Sequence, residues 1–212
     1  MGDRGRRMAA IWGRHLTFVS LEGVDGSGKS TQAGLLAAAL GHETVQIREP
    51  GGTAAAERIR ELLADPATEL DPLAELLLFC AARADVTARV IRPALDAGRD
   101  VVADRFADSS VAYQGGARGL GTSHVLSLVD TAIDGLWPDV TVYLRIDPEV
   151  SMARADGEDR FEAEGLELQR AVAAAYDEIA QVASDRVVVV DAEGEVDEVH
   201  RRVLEAVKDH AG

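Results

Sequence analysis

The chain has no asparagine, one cysteine and only two lysines, Lys29 and Lys208, among 22 Lys+Arg residues. A single cysteine excludes an intrachain disulfide and any cysteine-based zinc site. Cys80 lies in the apolar run Leu76-Leu77-Leu78-Phe79-Cys80, where a small buried hydrophobe is the expected role. No run reaches the ~18 apolar residues of a membrane span, so none is expected. Positive charge is scarce overall. The formal net charge is −15 and the pI about 4.7, and such a surface repels a nucleic-acid backbone. An anionic small molecule would have to be met by locally placed arginines. The shortage of lysine and asparagine has the look of a GC-rich genome, but one of the two lysines falls where chemistry would want it.

What is present is a globular composition: 212 residues, 47% hydrophobic and 28% charged, enough for one domain with a sizeable core. Short β-branched runs alternate with helical patterns. The runs Leu16–Leu21, Thr44–Ile47, Asp100–Ala103, Val140–Leu144 and Arg186–Val190 are nearly continuous in apolar character, as parallel strands buried on both faces should be. Helical patterns cover residues 53–64, 71–97, 122–134, 148–155, 165–183 and 195–209. The alternation predicts an α/β fold of three layers, a five-stranded parallel sheet flanked by helices. Residues 155–165 are polar, glycine-flanked and aperiodic, and read as a surface loop or a short mobile lid. Residues 1–15 read as a frayed N-terminal extension or a misassigned start, since Met8 to Trp12 is too short for a secretory apolar segment. Residues 16–212 then form one domain, expected in the cytoplasm.

Gly23-Val24-Asp25-Gly26-Ser27-Gly28-Lys29-Ser30 fits G-x-x-x-x-G-K-[ST], after a strand and before a helix. In such a P-loop, backbone N–H groups and the helix N-terminus cradle phosphates. Lys29 is then placed to bridge the β- and γ-phosphates and the Ser30 hydroxyl to coordinate Mg²⁺, with Thr31 next to it. Val101-Val102-Ala103-Asp104 is an apolar strand ending in a carboxylate suited to anchoring Mg²⁺, directly or through water. Arg105 then stands at a strand's C-terminal end, where ligands of open α/β sheets bind. A switch GTPase would need Asn-Lys-x-Asp, which a chain without asparagine cannot supply. Small-molecule kinases remain.

Two further segments narrow the class: Arg48-Glu49-Pro50-Gly51-Gly52-Thr53, and Asp104-Arg105-Phe106-Ala107-Asp108-Ser109-Ser110-Val111-Ala112-Tyr113-Gln114-Gly115-Gly116. With the P-loop and Phe79-Cys80-Ala81-Ala82-Arg83, in this order and spacing, the sequence resembles the bacterial thymidylate kinases from about Leu16 to the last helix. The resemblance implies transfer of the γ-phosphate of ATP to dTMP with Mg²⁺, in a homodimer. It places Phe79 on the thymine ring, Arg83 and Gln114 at the base edge, and Ser110 near the base. Arg48 and Arg105 match the clamp on the dTMP phosphate, with Arg60 close by. Tyr113 matches the ring that crowds the sugar's 2′ position, and Asp25 the carboxylate near the 3′-hydroxyl and the metal.

The departure from the family's pattern is at the lid. Gly26 stands where some members carry a P-loop arginine, so the transition-state cation has to come from Arg154 or Arg160. Glu162, in Asp159-Arg160-Phe161-Glu162, falls at the sugar or the metal. The acceptor is an anionic phosphate oxygen, so charge neutralisation matters more than a general base. The turn at 191–194 is the expected adenine side. Rival readings are a kinase for another nucleotide or a deoxynucleoside, a nucleotide-binding regulator without turnover, and an ATPase.

Overall fold

The computed structural model describes residues 18–154 and 165–211. The expected extension at 1–15 and the lid segment through residue 164, with Arg160 and Glu162, lie outside the described residues.

The apolar runs form β1 (Phe18–Glu22), β2 (Val45–Arg48), β3 (Val101–Asp104), β4 (Val140–Arg145) and β5 (Val187–Asp191). They make a parallel sheet in the order β2-β3-β1-β4-β5. Every residue of β1 and β3 is buried, which explains why neither run alternates polar with apolar. Phe18 belongs to the core on one side of the sheet, Val19 and Leu21 to the core on the other. Ser20 is also buried, and its hydroxyl is paired with Thr141 Oγ1 at 2.9 Å. Arg186 joins this group through two hydrogen bonds to Asp108, at 2.7 and 2.8 Å. The start of β5 is thereby tied to the segment after β3.

The helices are α1 (Lys29–Leu40), α2 (Ala54–Ala64), α3 (Pro72–Val86), α4 (Arg92–Asp96), α5 (Ala107–Ser110), α6 (Thr122–Ile133), α7 (Pro148–Met152), α8 (Gly165–Val182) and α9 (Val196–Ala211). Several start where capping chemistry dictates. Thr53 accepts from Ala56 N at 3.1 Å, Asp71 from Leu73 N at 2.9 Å and Asp147 from Glu149 N at 2.7 Å, the last two with proline as first helical residue. Helix α1 has Gly28 at its N-cap and no capping side chain. Its first N–H groups face the loop, as phosphate binding needs.

The single helix expected at 71–97 is interrupted. A π-helical stretch, Thr87–Ile91, separates α3 from α4, and Arg92 N–H reaches Thr87 O. The cause is Pro93, which lacks an N–H and would clash with the carbonyl four residues back, so the chain opens by one residue before it. A second π-helical stretch, Val111–Ala117, had no expected counterpart. It carries Tyr113 and Gln114 and packs on α6 and α8. Gly116 permits this approach, since a Cβ there would lie 2.5 Å from Ala175 Cβ.

The strand order places β1 between β3 and β4; the connection leaving β1 runs to β2 on one side and the connection leaving β3 runs to β4 on the other. The crevice at the C-terminal ends of β1 and β3 is where an open α/β sheet binds ligands. Leu21, Arg48 and Asp104 share one level there in the sheet register.

Candidate active site

The crevice opens into a cleft of about 580 Å³ lined by P-loop, arginine and aromatic side chains. Of the residues singled out in the sequence and described, Asp25, Gly26, Gly28, Lys29, Ser30, Thr31, Arg48, Arg60, Phe79, Arg83, Asp104, Arg105, Ser110, Tyr113, Gln114 and Arg154 all line it. Gly23, Val24 and Ser27 form the loop behind. Gly23 is required by crowding: a Cβ would meet Leu144 O at 2.7 Å, with φ at 147°.

Lys29 is 6% exposed and donates to Val24 O at 2.6 Å and to Ser27 Oγ at 3.4 Å. Burial, with Arg105 nearby, brings its ammonium down to about 8. Ser30 Oγ donates to Asp104 Oδ2 at 2.5 Å. The hydroxyl and the carboxylate thus converge from α1 and β3, two hard oxygens of the kind Mg²⁺ takes beside substrate phosphates and water. Among the described residues no group of three or more His, Cys, Asp or Glu could hold a metal by itself.

Arg105 is held by several partners in the cleft. Its backbone has φ at 68°, which turns the chain sharply after β3. Its guanidinium forms an ion pair with Asp25, donates to Gly23 O, Ser109 Oγ and Tyr113 OH, each at 3.2 Å, and lies over the Tyr113 ring. Burial alone would raise the Asp25 carboxyl, but Arg105 and Lys29 hold it below its ordinary range. Arg83 is 1% exposed. It donates to Glu49 at 2.7 Å, and to Ser110 Oγ and Phe106 O at 3.0 Å. Arg60 donates to Pro50 O at 3.1 Å, and Arg48 lies 4.0 Å from Glu57. Gln114 Nε2 donates to Glu75 Oε1 at 2.9 Å, and Arg118 pairs with that same oxygen. Arg154 reaches Ala192 O at 3.4 Å, beside the turn after β5.

Sequence reasoning missed the supports of this site. Glu22 is fully buried and accepts from Phe106 N at 2.7 Å, Ser109 Oγ at 2.6 Å and Tyr176 OH at 2.7 Å. Gln169 meets Asp25, and Glu49 meets Arg83. The one local signal was a carboxylate closing a nearly continuous apolar strand, Phe18–Glu22. Burial, then the neighbouring Asp108, raises Glu22 from 4.5 to about 7. Because the folded state holds this proton more tightly than the unfolded chain, the group's contribution to stability is fully present below pH 4.5 and lost as pH rises to 7. The expected loss is about 3 kcal/mol. In Glu22→Gln this slope should vanish from urea-unfolding free energies measured across the window, and an unchanged slope would refute the assignment.

A β-strand, glycine loop and helix at the centre of a parallel sheet, of the kind that cradles phosphate, facing arginines across one cleft, define a P-loop nucleotide-binding enzyme of the phosphotransferase class. The family model described as thymidylate kinase matches residues 21–203, and the chain belongs to the thymidylate kinase family. It is 41% identical over 198 residues to the thymidylate kinase of Caldanaerobacter subterraneus subsp. tengcongensis, covering 91% of this chain and 95% of that one. It is 45% identical over 196 residues to that of Synechococcus sp. (strain JA-3-3Ab), covering 90% and 95%. The crystal structure of thymidylate kinase from Ehrlichia chaffeensis superposes with a TM-score of 0.74 at 32% identity, covering 91% of this chain and 98% of that one.

Proposed function

We propose that this protein transfers the γ-phosphate of ATP to dTMP in the presence of Mg²⁺, giving ADP and the dTDP needed for dTTP synthesis. The observation that carries the reading is that one cleft is lined both by the phosphate cradle, Lys29 and Ser30, and by an aromatic and amide pocket, Phe79, Arg83 and Gln114.

Lys29 and the N–H groups opening α1 hold the donor phosphates. Ser30 and Asp104, the latter directly or through water, would hold Mg²⁺, which would supply charge neutralisation to the donor phosphates. Arg48, Arg60 and Arg105 take the acceptor phosphate, where guanidinium geometry suits an anion. Asp25 fixes Arg105 and meets the sugar's 3′-hydroxyl, and Tyr113 disfavours a 2′-hydroxyl. Phe79 stacks on the base. Gln114 reads it, assisted by Ser110. With its Nε2 committed to Glu75, the amide turns its Oε1 the other way, as an acceptor for the N3–H of thymine. Cytosine carries no hydrogen at N3, so the same amide discriminates against it.

Arg154 and Arg160 are the two candidates for the cation facing the transferred phosphoryl group, with Glu162 at the sugar or metal. Arg154 also reaches toward the turn that suits adenine. We read residues 16–212 as one domain with the lid at 155–165, acting in the cytoplasm. We read the assembly as a homodimer through α3, because Leu73 and Leu77, one turn apart, are 41% and 49% exposed, and Leu126 on the adjacent α6 is 44% exposed.

ADP release from ATP and Mg²⁺ tests the reading with dTMP, dUMP, CMP and thymidine as separate acceptors. Release should be fast with dTMP, slower with dUMP and near background with the others. Equal release without acceptor would make the protein an ATPase instead.

A further inference from the structure

Helix α8 turns one buried face toward the P-loop, and two polar side chains on that face end on carboxylates. Tyr176 reaches Glu22. Two turns earlier Gln169, 2% exposed, reaches Asp25. The second contact has two parts. Gln169 Nε2 donates to Asp25 Oδ2 at 2.9 Å, and Asp25 N donates to Gln169 Oε1 at 3.2 Å. A backbone N–H needs an oxygen and a carboxylate needs a donor, so the amide orientation is fixed by both partners. Asp25 Oδ1 is meanwhile engaged by Arg105, and Tyr113 OH donates to Oδ2 at 3.3 Å.

We infer that Gln169 is a positioning residue for phosphoryl transfer, holding the Asp25 carboxylate and its backbone in the orientation that presents Arg105 to the acceptor phosphate. The inference rests on the function proposed above and adds to it a residue outside the cleft lining. Without Gln169 the Asp25 carboxylate can swing about its bond to Arg105, and the guanidinium follows. Substrate affinity depends on many other contacts and changes little. The rate depends on alignment and falls.

The experiment compares Gln169→Leu and Gln169→Glu with the wild type, at saturating ATP and dTMP. Gln169→Leu removes both hydrogen bonds and should lower kcat roughly tenfold, with KM for either substrate within about twofold. The deficit should be the same at every pH. In Gln169→Glu the introduced carboxyl faces Asp25 among Arg105, Lys29 and Tyr113. Protonated, it restores both hydrogen bonds; ionised, it repels Asp25. Its deficit should therefore shrink as pH falls from about 8.5 to about 6. A merely structural glutamine would give no such recovery. Wild-type kcat in Gln169→Leu overturns the inference, and so does a pH-independent deficit in Gln169→Glu, which stays decisive if the leucine variant fails to fold. A wild type idle with dTMP overturns the proposed function and this inference together.

Discussion

Lys29→Ala should leave a folded protein whose phosphoryl transfer is at least about a hundredfold slower. The ammonium sits inside the loop on Val24 O and Ser27 Oγ, hemmed by Asp25, Asp104 and Glu22 as well as by Arg105. It makes no part of either apolar core, so truncation removes charge from the cradle without opening a cavity in the sheet packing. With Lys208 out on the last helix, no second lysine can substitute. Single-turnover transfer measured beside a thermal melt checks this. Near-normal transfer would discard the phosphate-cradle assignment.

Arg83→Ala should cost both fold and acceptor. Arg83 and Glu49 are a buried pair, and among the described residues Glu49 Oε1 has no hydrogen-bond partner even with Arg83 in place. Burial already raises the Glu49 carboxyl, and Arg83 opposes that. Removing the cation leaves a carboxylate stranded, at a cost of about 3–5 kcal/mol. Replacing both, as Arg83→Met with Glu49→Leu, should recover most of that loss, because no charge is then left alone. Neither variant should bind dTMP well, since Arg83 lines the part of the cleft proposed to take the base, whereas ATP affinity should hold wherever the protein is folded. Chemical denaturation and separate binding measurements for the two nucleotides decide it. A double variant no more stable than the single one would refute the stranded-charge account, and equal losses for dTMP and ATP would refute the base-pocket role.

Much of this molecule is legible in its residues because the sheet is buried on both faces. The strands announce themselves as short apolar runs, and all five appear within two residues of where the pattern puts them. The P-loop is legible because its glycines and Lys29 are contiguous. What was not legible depends on approach in space. Gln169 lies far along the chain from Asp25, and a glutamine on an amphipathic helix carries no sign that it faces inward. Glu22 looks like the polar end of a strand until Ser109 and Tyr176 are seen to converge on it. The π-helical stretch at Val111–Ala117 has two glycines and no helical period, and it exists because α6 and α8 close around it.

The strand order also sets when the site can exist. β1 leaves the ribosome before the other four strands of the sheet, but its ladder partners are β3 and β4. Until Val101–Asp104 has been made, the strand that carries the glycine loop has neither neighbour, and until Val140–Arg145 follows, one edge stays bare. Such distant parallel pairings form slowly, because a long loop must close before any contact rewards it. The helix that steadies Asp25 is made later still. The strand that carries the glycine loop is therefore synthesised before either strand it pairs with, and the site waits on both.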